Sequence, residues 1–358
     1  MKAFARVFAL APDCHADSGR YVRLWRRHFY EGLQAALPKV VFPAADAPLG
    51  RSADRSAVSE RLWDQIRAAR EDGGLDAVIS YCFSSDVDVA LVARTVEAGV
   101  PWVNFFCDST YAFDRVEALA RATSLNWFPE RAAMARYGAL GPPLLCRPYA
   151  LHAAALPEAA CSTAVHAVGF VGAPTGNRVL RLAGLRLHGC RVVVRGEGWR
   201  RARAAPAPTH PPLADRRARG RLAERVLVRA LAPLVRASGG GALADAELAP
   251  FLSRCRAVLG LNEGRDSAGV YRSYLKLRDV EFPGYGCCYV TQDNEDVQHA
   301  FEVGREVLTF RSAAEAASLV RRSVRDPAQA RAIGQAGRRR VLGEHTWAAR
   351  LGELARAL

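Results

Sequence analysis

Short apolar runs alternate with longer amphipathic segments along almost the whole of this 358-residue chain. That alternation restricts the fold more than any other feature, because runs of roughly four to eight apolar residues set between helical periodicities mark a parallel sheet covered by helices on both faces. In the first half, "AFARVFAL", "LDAVISYCF", "VPWVNFFCDS", "SLNWF" and "PLLCRPYA" predict strands, and about Ser18 to Leu37, "SSDVDVALVARTVEAG", "VEALARAT" and "PERAAMARYGAL" predict helices. The pattern lapses between Ala150 and Val165, then restarts at "HAVGFVGAP". After that come helix "NRVLRLAGLRLHG", strand "CRVVVRGEGW", helices near Leu222 to Ala237 and over "DAELAPFLSRC", strand "AVLGLN", a helix near Tyr271 to Phe282 and strand "CCYVT". Segments "EDVQHAFE" and "EVLTF" and two closing helices complete the chain. The order predicts an α/β protein of two Rossmann-like domains: residues 1–150, a linker at 151–165, a second domain at 166–340 and a terminal helix at 341–358.

Charge is unevenly spread. Residues 1–164 hold 18 Lys+Arg against 18 Asp+Glu, whereas residues 165–358 hold 32 against 18. Fifteen arginines between Arg178 and Arg236 face only Glu197, Asp215 and Glu224. Such a field gathers anions, and an anionic membrane surface or nucleic acid is the partner it suits. The segment 200–221 is basic and proline-rich and interrupts the α/β pattern. No apolar run reaches the roughly 20 residues of a membrane span, the N-terminus carries charge where a signal-peptide core would lie, and the nine cysteines show no CxxC spacing. These features lead to the expectation of a cytoplasmic protein with reduced thiols.

In open α/β sheets ligands bind beyond the carboxyl ends of strands. "GFVGAPTGNR" places Gly169, Gly172 and Gly176 ahead of a helix, where backbone amides and the helix dipole suit a phosphate. "RGEGW" puts Gly196 and Glu197 at the same edge, and "GLNEGRDS" puts Asn262 there. In "YLKLRDVEFPGYGCCYVT", a helix ending near Phe282 would carry Tyr274, Arg278 and Glu281 on one face, with Lys276 beside them and Gly286 in the following turn. A carboxylate there suits the two hydroxyls of a ribose, and the cations suit a diphosphate. In the first half, Asp108 follows strand "WVNFFC", and His15 and Asp17 follow the first strand; Asp108 and His15 are rival catalytic candidates. Asp86 and Asp88 spell a DxD, but at a predicted helix start, where carboxylates complement the dipole. No metal site is expected.

The motifs "VGFVGAPTGNR", "VVVRGEGW", "VLGLN", "YLKLRDVEFPGYGCCYVTQ" and "GRRRVLGEHTWAARLGEL", with "ISYCFSSD", "VPWVNFFCDST" and "ARYGALGPPLLCRPYA", resemble the CgeB-type (spore-maturation-protein-like) glycosyltransferases. The resemblance implies a GT-B fold: two Rossmann-like domains facing a central cleft, with the last helix packing back on the first. It also implies metal-independent transfer of a hexose-like residue from a nucleoside diphosphate-sugar, UDP- or dTDP-linked, to an acceptor hydroxyl or amine. Under it, Glu281 holds the ribose, Lys276 and Arg278 lie near the diphosphate, and Gly172 lies beneath it. The acceptor is left open among a glycan, a lipid-linked molecule, a protein, a natural product and a modified nucleic acid. Related retaining enzymes carry a second glutamate eight residues before the ribose-binding one; here Ser273 stands there, so retention and inversion both stay open. The competing expectation is a GT-B-fold nucleotide- or nucleic-acid-binding protein without transfer activity.

Overall fold

The computed structural model describes residues 4–12, 23–44, 54–158, 165–199, 216–265 and 271–358. His15 and Asp17, and the basic segment from 200 to 215, lie outside them. The chain divides into two compact units: unit 1 is Met1–Leu156, Leu275–Leu277 and Leu342–Leu358, and unit 2 is Pro157–Tyr274 and Arg278–Val341. Each is Rossmann-like.

In unit 1 the elements are β1 (Arg6–Leu10), a helical segment over Arg23–Tyr30 continuing as α1 (Glu31–Ala36), β2 (Lys39–Val41), α2 (Arg55–Glu71), β3 (Ala77–Ser80) and α3 (Val89–Glu97). They continue with β4 (Trp102–Phe105), α4 (Ser109–Ala122), β5 (Leu125–Phe128), α5 (Met134–Gly138) and β6 (Leu144–Cys146). The sheet order is β2-β1-β3-β4-β5-β6 and every pairing is parallel. Residues of β3, β4 and β5 are all buried, as a sheet covered on both faces demands. Asp88 is the N-cap of α3 and accepts from the Ala90 amide, and Asp86 accepts from the Phe83 amide at 2.7 Å. The DxD is thus spent on local structure.

Unit 2 holds β7 (His166–Val171), α6 (Gly176–Leu187), β8 (Val192–Arg195), α7 (Arg216–Arg236), β9 (Gly239–Gly240), α8 (Asp245–Ser253) and β10 (Cys255–Leu259). It continues with β11 (Glu263–Arg265), β12 (Tyr271–Ser273), α9 (Leu277–Gly284), β13 (Tyr289–Gln292), α10 (Glu295–Ala300), β14 (Leu308–Phe310), α11 (Ala313–Arg325) and α12 (Pro327–Glu344). The parallel order is β14-β13-β10-β7-β8-β9, and β11 and β12 form a separate antiparallel pair. The helix expected over Tyr271–Phe282 is corrected here. Its first residues pair with Glu263–Arg265 as a strand, and the helix begins only at Leu277.

The second of the two expected closing helices is itself two. It breaks at His345–Thr346, where Thr346 is extended and Leu151 pairs alongside, its amide donating to the His345 carbonyl at 2.8 Å. The terminal helix α13 (Trp347–Ala357) then packs on unit 1: the Trp347 indole donates to the His28 carbonyl at 2.6 Å. Gly32 sits so close to that indole that a Cβ would overlap it.

Candidate functional sites in the two units

In unit 2 two glycines draw the carboxyl ends of β7 and β8 together. Gly172 (φ 155°) donates its amide to the Arg195 carbonyl at 2.8 Å and accepts the Trp199 indole at 2.6 Å. Gly196 (φ 144°) donates to the Gly241 carbonyl at 3.0 Å, and a Cβ on it would overlap the Gly172 carbonyl. Neither of these two amides is left for a phosphate. The N-terminus of α6 is open: its N-cap residue Thr175 makes no side-chain cap. Gly169 is a packing glycine inside β7, where a Cβ would overlap the Cys255 sulfur.

Two guanidinium groups gather at this edge. Arg178, in the first turn of α6, donates to the carbonyls of Leu261 at 3.1 Å and Ala173 at 3.2 Å. Arg278, at the start of α9, donates to the Val171 carbonyl at 3.0 Å, and its nitrogen would lie 2.9 Å from a Cβ on Gly172. Both lie over Phe170, 5.8 and 5.7 Å from the ring centroid. Among the described residues no carboxylate pairs with either. Burial, followed by the like charge of Arg278, pulls the Arg178 pKa down to about 9. A partly buried cation held only by carbonyl dipoles beside a second cation is short of an anion.

A polar cluster anchors this edge from behind. The buried Asp279, in the first turn of α9, accepts on one oxygen from Asn262 at 2.6 Å, Tyr289 at 2.9 Å and Thr291 at 2.9 Å. Asn262 also donates its amide to Gln292 at 2.9 Å. Next to them Glu263 accepts from Arg181 at 2.6 Å and from Gln292. Sequence reasoning misses Asp279, because a helix drawn over Tyr271–Phe282 hides that it stands in the first turn of one that begins at Leu277.

Glu281 is buried, at 4% exposure, two residues further along α9. Arg278 is not paired with it, so the two do not form a surface ion pair. Tyr274 is also buried but precedes the helix, which corrects the shared face expected for Tyr274 and Arg278. Glu197 is exposed in the turn after β8, and the tryptophan after it, Trp199, is buried rather than exposed. Gly286 (φ 82°) closes α9 just before β13, at the amino edge of the sheet, opposite to Gly172. Ser273 accepts from Asn294 at 3.0 Å.

In unit 1 the cluster is acidic. Asp108 occupies the N-cap position of α4 with a left-handed backbone (φ 51°) and makes no cap hydrogen bond, although aspartate is a preferred cap. The capping is done by Glu130, which follows β5, is fully buried, and accepts from the Thr110 amide at 2.6 Å and the Ser109 hydroxyl at 3.2 Å. Relieved of that task, the Asp108 carboxylate turns to Lys276, which also donates to Glu130 at 3.3 Å. Lys276 belongs to the three-residue stretch counted in unit 1. Burial opposes its charge, but Asp108 and Glu130 outweigh that and hold its pKa above the ordinary lysine value. The ammonium of Lys276, expected near a diphosphate, is engaged here by two carboxylates. Neighbouring Cys107, Tyr81 and Tyr149 are raised by burial and stay protonated at neutral pH.

Among the described residues no group of three or more His, Cys, Asp or Glu side chains is placed to hold a metal ion, and no helix is long and apolar enough to cross a membrane.

Two Rossmann-like units, each with charged groups at the carboxyl edge of its parallel sheet and the last helix returned to the first unit, define a GT-B-like architecture. Solved structures share it. Sucrose-phosphate synthase from Thermosynechococcus elongatus is similar with a TM-score of 0.59 at 15% identity over 98% of each chain. Anabaena HepE, in complex with UDP and glucose, gives 0.58 at 13%, covering 99% of this chain and 100% of its own. AviGT4, a glycosyltransferase involved in avilamycin A biosynthesis, gives 0.59 at 13%, covering 99% and 96%. Among curated proteins none matches. The chain belongs to the glycosyl transferase-like family, whose model matches residues 177–356, half of its length.

Proposed function

We propose that the protein is a glycosyltransferase that moves a sugar from a nucleoside diphosphate-sugar to an acceptor hydroxyl or amine without a metal. The observation that carries this is the pair Arg178 and Arg278, two cations at the carboxyl edge of the unit 2 sheet with no carboxylate partner among the described residues. A diphosphate supplies the missing negative charge, and the open N-terminus of α6 adds amide donors to it. HepE, of the same fold, is solved with UDP and with UDP-glucose, which makes a UDP-linked donor the first choice and a dTDP-linked one the second. The buried Glu281 is the carboxylate for the ribose hydroxyls, and Asn262 and Tyr274 shape the wall beside it. The finer CgeB-type placement rests on the motifs quoted above.

The difficult step is departure of the diphosphate from the anomeric carbon through an oxocarbenium-like state, as in glycoside hydrolysis. Arg178 and Arg278, held by fixed carbonyls, are already oriented when negative charge grows on the leaving phosphate, so little reorganisation accompanies reaction. In unit 1, Asp108 is the acceptor-side carboxylate, and Glu130 and Lys276 fix its position. In an inverting reaction Asp108 takes the acceptor proton; in a retaining one the departing phosphate takes it.

Calorimetry against UDP, dTDP, GDP and CDP, followed by assay of nucleoside diphosphate release from the matching sugar nucleotides, tests the reading. Binding of at least one diphosphate and slow release from its sugar conjugate are expected. Absence of binding by all four removes the donor site. Binding with no release under any acceptor supports the competing reading, a nucleotide-binding GT-B-fold protein, which the serine at position 273, in place of the second glutamate of related retaining enzymes, favours.

A further inference from the structure

The helix α7 packs one face into unit 2 through Val228, Ala232 and Val235, at spacings of four and three. Its opposite face is apolar as well. Val226 is 56% exposed, Leu227 52% and Leu234 39%, with the exposed Ala230 and Pro233 between them. Leu227 and Leu234 are seven apart and so share one stripe, and Arg229 and Arg236, also exposed and seven apart, run along its flank. Scattered exposed apolar residues are ordinary, but three of the ten large ones among the described residues fall within nine positions of this single helix. Over its length α7 has seven arginines and one acid, Glu224.

We infer that the outer face of α7 is a seat for an anionic phospholipid surface. An apolar stripe edged by arginines is what a helix lying in the headgroup boundary presents: the stripe enters the acyl layer and the guanidinium groups meet the phosphates. A nucleic acid duplex would satisfy the arginines but leave Val226, Leu227 and Leu234 in water. A second copy of this chain would cover the stripe but set arginine against arginine. The inference does not depend on the donor site.

Co-sedimentation of the full chain with vesicles of equal parts phosphatidylglycerol and phosphatidylcholine, and with phosphatidylcholine alone, tests it. Binding only to the anionic vesicles, weakened by salt, is expected. Arg229→Ala combined with Arg236→Ala should lower the partition coefficient about 25-fold, at about fivefold for each arginine. Leu227→Ser, which leaves the charge untouched, should lower it about tenfold. Both variants replace exposed side chains, so their melting temperatures and UDP affinities should match the parent. Failure to sediment with anionic vesicles at low salt overturns the inference. So does binding that Leu227→Ser leaves unchanged, tighter binding to a DNA duplex than to the vesicles, or a dimer in solution that Leu227→Ser abolishes.

Discussion

In unit 1 one ammonium, Lys276, meets two carboxylates, whereas in unit 2 two guanidinium groups, Arg178 and Arg278, meet carbonyl oxygens and, among the described residues, no carboxylate. Both clusters lie at the carboxyl edge of a parallel sheet, where the chain leaves each strand and side chains converge. The difference lies in what balances the charge. Unit 1 supplies its own counter-ions, so its cluster is a built support for one carboxylate, Asp108. Unit 2 leaves positive charge uncompensated in partly buried surroundings, at a cost in the unliganded protein that an anionic ligand would remove. A self-sufficient cluster should show itself in stability, and a deficient one in binding.

The largest effect belongs to the self-sufficient side. Glu130 is fully buried and serves Lys276, the Thr110 amide and the Ser109 hydroxyl together. Glu130→Ala leaves the partly buried ammonium with Asp108 as its remaining carboxylate and a helix end short of an acceptor, and should lower stability by about 3 kcal/mol. Urea denaturation measures this. A loss near zero would mean that Asp108 alone satisfies Lys276 and that the α4 terminus finds another acceptor, and the contrast between the units would collapse.

Glycine substitution at the edge of unit 2 comes next. Gly196→Ala places a Cβ against the Gly172 carbonyl at a positive φ, and should lower stability by about 2 kcal/mol or more. It should also weaken UDP binding, because Gly172 lies against Arg278. Stability and affinity both equal to the parent's would show that β7 and β8 tolerate separation.

Arg178→Met inverts the pattern expected of Glu130. Removing a cation that burial and Arg278 already disfavour should leave melting temperature unchanged or raise it, while UDP affinity falls by about 2 kcal/mol, or some 30-fold. Calorimetry and a thermal melt on the same variant separate the two. A large loss of stability with intact affinity would make Arg178 a structural residue. Glu281→Ala should cost about 1.5–3 kcal/mol in nucleotide affinity, within the range for hydrogen bonds to a charged group, and its own melt tells whether the buried carboxylate serves packing instead.

The sequence revealed the architecture but only part of these sites. Alternating apolar runs are a local signal, so β1, β3, β4, β7 and β8 were legible. The β11–β12 pair was not, because its residues, Glu263–Arg265 and Tyr271–Ser273, lack apolar alternation and become strands only by pairing with each other. Glycine positions marked the sheet edge correctly at Gly172 and Gly196 but not what their amides do, since those bonds go to Arg195 on β8 and to Gly241 just beyond β9. Arg178 was hidden by composition: as one of fifteen arginines in a basic stretch, it differs from the rest only in lying inside the edge. Lys276 reaches Asp108 across 168 positions, and no local pattern encodes a contact of that separation. Asp108 itself was visible as a residue after a strand, but its freedom from capping depends on Glu130, which no spacing connects to it.

The smallest effect is a flat one, and it sharpens the comparison from the alkaline side. Lys276 has a folded-state pKa above its unfolded value because Asp108 and Glu130 outweigh its burial. The sign follows from linkage: a base whose pKa rises on folding contributes stability that is fully present below the unfolded value, near 10.4, and is lost as pH climbs through the folded one. The stability difference between the parent and Lys276→Met should therefore be constant from about pH 7 to about pH 10 and shrink only above that. Urea titrations of both proteins at several pH values check it. A difference that already declines between about pH 7 and pH 9 would mean that the ammonium is depressed rather than held. Lys276 would then share the condition of Arg178, and the two units would no longer differ in how their charge is balanced.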